Sequence, residues 1–168
     1  MSQKFGLTLG NLSVNEDGRG VIDDRRDRCM ARQNAKGLIR AYVASFNAGD
    51  WRNLRALFAD GANISIGDRT TGIDKAIRLW QELHQNMSTR LDIVDIVCEG
   101  DAAAALVIEK GRFIGPWRDL PGQHPTGASY ELVAIDWFTF AGDRIARRWA
   151  ARDSGSITRQ VLGLRGYH

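Results

Sequence analysis

The chain has 168 residues and a net charge of +3, with 43% hydrophobic and 26% charged residues, which is one globular domain's worth and enough to bury a core without a metal or disulfide. Arginine outnumbers lysine and is spread along the chain, so no basic tract marks a nucleic-acid protein. No stretch approaches the ~20 apolar residues of a membrane span, and two cysteines, Cys29 and Cys98, are too few for a disulfide framework and read as small buried hydrophobes.

The opening MSQKFGLTLGNLSV lacks the apolar core of a secretory signal. The expectation is a cytoplasmic protein with no nucleic-acid or membrane partner. Residues 1–22 show no sustained period and read as an N-terminal arm; 23–168 read as one domain. A long helix should begin near Asp23 or Asp24, where a charge run, Asp23 to Arg28, makes a solvated start with acids near the N-terminus. Ala35, Leu38, Ile39, Tyr42, Val43 and Phe46 then form one apolar stripe. Gly49 suits its C-terminal cap and Asp50 the N-cap of a second, short helix with Trp51, Leu54, Leu57 and Phe58 inward. The Ala59-Asp60-Gly61 corner should end that helix, before a short strand at 62–66 and a polar turn from Gly67.

A third helix is expected from Ile73 to Met87, with Ile73, Ile77, Trp80, His84 and Met87 inward. From there the period changes to alternation. Strands are expected at 91–99, 102–113, 129–140 and 144–153, with tight hairpins at Gly100-Asp101 and Gly142-Asp143. The third link, 114–127, holds all three prolines. Short links between long strands predict an antiparallel meander, and a short helix should follow at 156–162. The fold class is α+β: a cone-shaped, curved antiparallel sheet packed against three N-terminal helices and enclosing a pocket. Such pockets typically measure roughly 300–1,000 Å³.

This order, together with YVASFNAGDW (42–51), HPTGASY (124–130), the hairpin AIDWFTFAGDRIARRW and SGSITRQVLG (154–163), resembles the SnoaL-like polyketide cyclases, within the nuclear-transport-factor-2-like and ketosteroid-isomerase-like fold. The resemblance covers about residues 35–163. It implies an intramolecular aldol reaction run by a carboxylate acid/base, without metal or cofactor. Laid without gaps from the Pro-Thr-Gly turn, the family's acid falls on Ala150, and a second pocket position, a histidine in the best-known members, falls on Asp136. The usual acid is therefore missing.

Read from the residues themselves, Asp136 stands out. A carboxylate among Val133, Ala134, Ile135, Trp137 and Phe138 is costly to bury unpaired, and desolvation would fit it for proton transfer. The alternative is a structural ion pair. Arg148 faces the same side under the two-residue period if the hairpin is tight, and could steady an oxyanion or hold Asp136 inert. His84 sits on the helical stripe as a second candidate proton carrier, or as a core histidine. His124 lies in the longest internal loop. Asp153 reads as a helix cap. Trp80, Phe46, Phe113, Trp117, Met87, Phe138 and Ala150 are the candidate substrate walls, beside Arg148. No metal-ligand spacing, phosphate loop or nucleophile elbow occurs.

The leading expectation is a cofactor-independent cyclase, isomerase or dehydratase acting on a small hydrophobic or polyketide-like carbonyl compound, with Asp136 and His84 catalytic. The alternative is a non-catalytic ligand-binding or assembly module. An epoxide hydrolase would need a second carboxylate beside Asp136, and Asp68, Asp92 and Asp95 all sit in solvent-facing settings. Trp137 and Trp149 fall on the face opposite Asp136, which predicts a homodimer through the outer sheet face, and leaves Trp149 open between pocket and interface.

Overall fold

The computed structural model describes residues 24–164. The arm expected at 1–22 lies outside the described residues, as does the side chain of Cys29. Helix α1 spans Asp24–Ala48, α2 Trp51–Ala56, α3 Ile73–Met87 and α4 Ser154–Val161. Strands β1 (Phe58–Ile66), β2 (Arg69–Gly72), β3 (Arg90–Glu99), β4 (Ala102–Arg112), β5 (Ser129–Ala141) and β6 (Arg144–Arg152) form one curved, open sheet in the order β2-β1-β6-β5-β4-β3. Among the described residues, no helix is long and apolar enough to cross a membrane.

The helices form where one apolar face meets the sheet. On α1, Ala35, Ile39, Tyr42, Val43 and Phe46 are buried, and Leu38 half-buried. On α3, Ile73, Ala76, Ile77, Trp80, Leu83 and Met87 are buried, while His84 sits at the edge of the stripe, half-buried. Asn47 clamps the end of α1 to β3, its amide donating to the Leu91 carbonyl and accepting from the Leu91 N–H, both at 2.8 Å. Gly49, at φ +68°, lets the chain turn out of α1. Asp50 and Asp153 cap α2 and α4 by accepting from the N–H three residues on.

Strands β3 to β6 make the expected meander, with Gly100 and Gly142 at positive φ in its hairpins. Three features depart from the sequence reading. β1 begins at Phe58, so the Ala59-Asp60-Gly61 corner is part of a strand and not the end of a helix. Pairing decides this: Phe58 lies opposite Ile145, the Ile145 N–H donates to the Leu57 carbonyl, and a register shift before Asn63 absorbs the corner. β1 also runs parallel to β6, so the sheet is not wholly antiparallel. Finally, the polar stretch after Gly67 is a strand, β2, paired to β1. Its residues are nearly all exposed, so no alternation betrays it.

The inner face of the sheet carries an unusual row. From β4 come Ala103, Ala105, Val107 and Glu109; from β5 Leu132, Ala134, Asp136 and Phe138; from β6 Arg148 and Ala150, all buried. Four charged groups thus stand on or beside a wall of small and apolar residues: these three and Arg152, half-buried at the end of the β6 row. They are two acids and two arginines.

Candidate active site

A cavity of about 820 Å³ opens between α1, α3, the inner sheet face and the 113–128 loop. Tyr42 and Phe46 line it from α1, Trp80 and Leu83 from α3, Glu109 from β4, and Arg148 and Arg152 from β6. The loop reaches its mouth because Ile114 and Gly115 both donate backbone N–H to the Asn86 carbonyl at 2.9 Å. That contact folds the loop over the end of α3 and brings Trp117 and Arg118 to the rim, where Arg118 pairs with Glu82. A smaller groove of about 440 Å³ lies at the opposite end, under the two hairpins, with Arg32 and Asp101 as its charged walls.

Asp136 is 2% exposed and points to the inner face. Both its oxygens are taken by Arg148: Nε reaches Oδ2 at 3.0 Å, and Nη2 reaches Oδ1 and Oδ2 at 2.8 Å. Bidentate pairing of this kind fixes a guanidinium plane as well as neutralising it. The Arg148 plane also lies 5.5 Å from the ring centres of both Tyr42 and Trp80, a cation–π setting. Burial works against the Arg148 charge, but Asp136, Tyr42 and Glu109 together offset this and hold its pKa above the usual arginine value. Asp136 does not line the cavity; the arginine it clamps does.

A second pair stands further along the wall. Arg152 Nη2 donates to Glu109 Oε1 at 2.7 Å, and the Tyr130 hydroxyl donates to the same oxygen at 3.0 Å. Tyr130 is 2.6 Å from the Thr89 hydroxyl. Gly111 makes this possible, since a Cβ there would strike the Met87 carbonyl and the Tyr130 ring. Desolvation raises the Glu109 pKa above the ordinary glutamate value, against the pull of Arg152 and the Tyr130 hydrogen bond. Burial pushes the Tyr42 and Tyr130 phenols up as well, so both stay protonated.

Among the described residues, three buried side-chain polar atoms lack a partner: Tyr42 Oη, Arg148 Nη1 and Arg152 Nε. All three can donate, the two arginine nitrogens can do nothing else, and all three residues line this one cavity. An unmet buried donor costs about 1–3 kcal/mol, so unmet donor capacity is concentrated in the residues around this cavity.

Of the residues singled out by sequence, Arg148, Trp80, Phe46 and Trp117 line the cavity. Phe113, Met87, Phe138 and Ala150 are buried in the packed interior, outside its lining. His84 lies between the edges of Phe46 and Trp51, 6.0 and 5.6 Å away, also outside it. His124 is exposed. Trp149 lies at the rim, its Nε1 donating to the Gly67 carbonyl. Asp92 is paired to Lys110 on the surface, and Asp68 lies at the mouth. No metal-binding cluster exists among the described residues. The sequence reading missed Glu109, Arg152, Tyr42 and Tyr130.

A curved sheet closed by helices over a polar-floored apolar cavity defines a small-molecule-binding α+β fold. The SnoaL-like domain profile matches residues 39–148, more than half of the chain, and the chain belongs to the SnoaL-like family, whose fold binds small molecules. Among solved structures it is similar to a candidate polyketide cyclase from Xanthomonas campestris pv. campestris, at 24% identity and TM-score 0.71 over 78% of this chain and 98% of that one. A candidate polyketide cyclase from Pseudomonas putida KT2440 is 28% identical, TM-score 0.63, over 74% and 95%. An epoxide hydrolase of the LEH-like kind from M. tuberculosis shares 15% identity, TM-score 0.62, over 79% and 92%. Among curated proteins, none matches by sequence.

Proposed function

We propose that this chain is a cofactor-independent acid/base enzyme of the cyclase or isomerase kind, acting on a small hydrophobic carbonyl compound held in the 820 Å³ cavity. The observation that carries this reading is Arg148. A guanidinium clamped by Asp136 and walled by Tyr42 and Trp80 is a fixed positive charge on the cavity wall, preorganised to stabilise an oxygen that gains charge. Asp136 then acts as a positioning residue through Arg148 and moves no proton itself. His84, outside the lining, takes no part. The likeness to the Pseudomonas polyketide cyclase candidate supports the same class of reaction. The cytoplasm suits it, since two cysteines are too few for a disulfide framework.

Binding tests the cavity. 2-Tetralone, a flat ketone, should show saturation-transfer NMR signals with the wild-type protein. Leu79→Trp, at a half-buried position lining the cavity, should weaken binding at least about tenfold by filling the space while leaving the fold intact. Equal binding by this variant would sink the assignment of the cavity as the ligand site. A binding module without catalysis is the second reading, favoured by Ala150 standing where the family resemblance places the acid.

The outer sheet face belongs to the same proposal. On β5, Val133, Ile135 and Trp137 are 61%, 47% and 46% exposed, with Leu106 exposed on β4 and Val97 on β3. A contiguous apolar face of this kind fits a second copy of the chain about a two-fold axis. Sedimentation should give a dimer, and Ile135→Lys a folded monomer. A wild-type monomer at every concentration would remove the idea.

A further inference from the structure

Among the described residues, Glu109 is the one buried carboxylate on the cavity wall. It is 4% exposed, yet lines the cavity. Its two hydrogen bonds both end on Oε1, from Arg152 at 2.7 Å and from Tyr130 at 3.0 Å. With the Tyr130 proton committed to Glu109, the Thr89 hydroxyl at 2.6 Å donates to Tyr130. A chain of groups thus grips one oxygen. The other, Oε2, takes no hydrogen bond among the described residues and is not among the sealed-off atoms. Since Glu109 lines the cavity, Oε2 is the acceptor it has left for a ligand there.

A carboxylate fixed by one oxygen and bare at the other is geometrically a general base. The groups around it suit that task. Burial, the larger effect, raises its pKa and strips away the water that would weaken it as a base, while Arg152 favours its ionised form. Arg152 Nε and Arg148 Nη1, the two unpaired arginine donors, belong to the same cavity wall. Arg148 lies near enough for its charge to act on Glu109. Asp68 and Asp119, the other acids of the lining, are exposed at the mouth and solvated.

We propose that Glu109 takes the proton from the carbon beside the carbonyl of a flat, enolisable ketone bound in this cavity. The C–H bond breaks and its electron pair forms the carbon–carbon double bond of an enolate. The carbonyl π pair moves onto oxygen, where the positive charge of the wall arginines steadies it, and the proton ends on Glu109 Oε2. Return of the proton to a different carbon gives an isomer. Attack of the enolate carbon on a second carbonyl of the same molecule closes a ring, with the proton passing to the new alkoxide. No oxidant or second substrate is needed. The inference rests on the cavity reading above and names the proton carrier that reading lacks.

The test is deuterium exchange at the acidic carbon of 2-tetralone in heavy water, followed by proton NMR, with binding measured in parallel. Wild type should accelerate exchange over buffer. Glu109→Gln should lose about 100-fold or more of that acceleration while binding 2-tetralone within about threefold of wild type, as expected when a group acts only in the reaction. Glu109→Asp should keep part of it. Exchange by Glu109→Gln at the wild-type rate overturns the proposal, as does a wild type that binds 2-tetralone and exchanges nothing; in both cases the cavity reading survives. A wild type that does not bind at all overturns both. Should Glu109→Gln fail to fold, the wild-type pH profile decides. The base works only ionised, so exchange should be present above the folded-state pKa and fall away as pH drops through it, at a midpoint above the ordinary glutamate value of 4.5. A profile with no such limb overturns the proposal.

Discussion

Asp136→Ala should cost about 3–5 kcal/mol of folding stability, read from urea or guanidinium unfolding, because it leaves the Arg148 guanidinium buried and uncompensated. The buried pair is neutral as a unit, and among the described residues Nε and Nη2 hydrogen-bond to Asp136 alone. Arg148→Met should cost a comparable amount by stranding the carboxylate. The double variant Asp136→Leu, Arg148→Met should recover most of the loss, since well-packed apolar residues often replace a buried ion pair at little cost or with a gain. Yet the double variant should bind a carbonyl ligand roughly tenfold or more weaker, as a hydrogen bond from a charged donor contributes about 1.5–3 kcal/mol. Stability and binding would then separate. A double variant that stays stable and binds as wild type would show that the pair serves neither purpose at the ligand. Additive losses in the double variant would show instead that the two side chains act through other neighbours.

The sequence made the long elements legible because their periods are strong. Trp80, Phe46 and Arg148 fell on the inner faces through the 3.6-residue and two-residue rules alone. β2 carried no such signal, since neither of its faces is buried. The parallel pairing of β1 with β6 joins residues some eighty positions apart, and no local pattern encodes it. Asp136 drew attention as a charge in an apolar strand, and the structure gives it the paired alternative, with Arg148 as the partner. Glu109 escaped although its signal was present. Ala103, Ala105 and Val107 set the inward parity of β4, and the next residue of that parity is an acid. What could not be read is its partner: Arg152 stands on β6, with all of β5 between. An ion pair across an intervening strand depends on sheet curvature and side-chain reach, not on spacing.

Phe138→Ala should lose about 3–5 kcal/mol, the usual range for a buried phenylalanine, and should exceed Trp80→Ala even though tryptophan is larger. The difference lies in where each void opens. Phe138 is fully buried, opposite Arg148 in the β5–β6 register, with its ring 5.8 Å from Tyr42 and 6.5 Å from Phe140. It does not line the cavity, so its removal leaves a sealed apolar hole that stays dry. Trp80 lines the cavity and faces Arg148, so the space it vacates joins one that holds unpaired donors and admits water. Unfolding midpoints at unchanged m-value give the comparison. The ligand readout should run the other way. Trp80→Ala removes a wall of the ligand cavity, whereas Phe138→Ala reaches the site indirectly, through Tyr42 and the neighbouring Arg148 strand. The reverse stability order would mean that the Trp80 void also stays dry. The space behind Trp80 would then be closed to the water at the cavity mouth, and the ligand would meet a dry floor there.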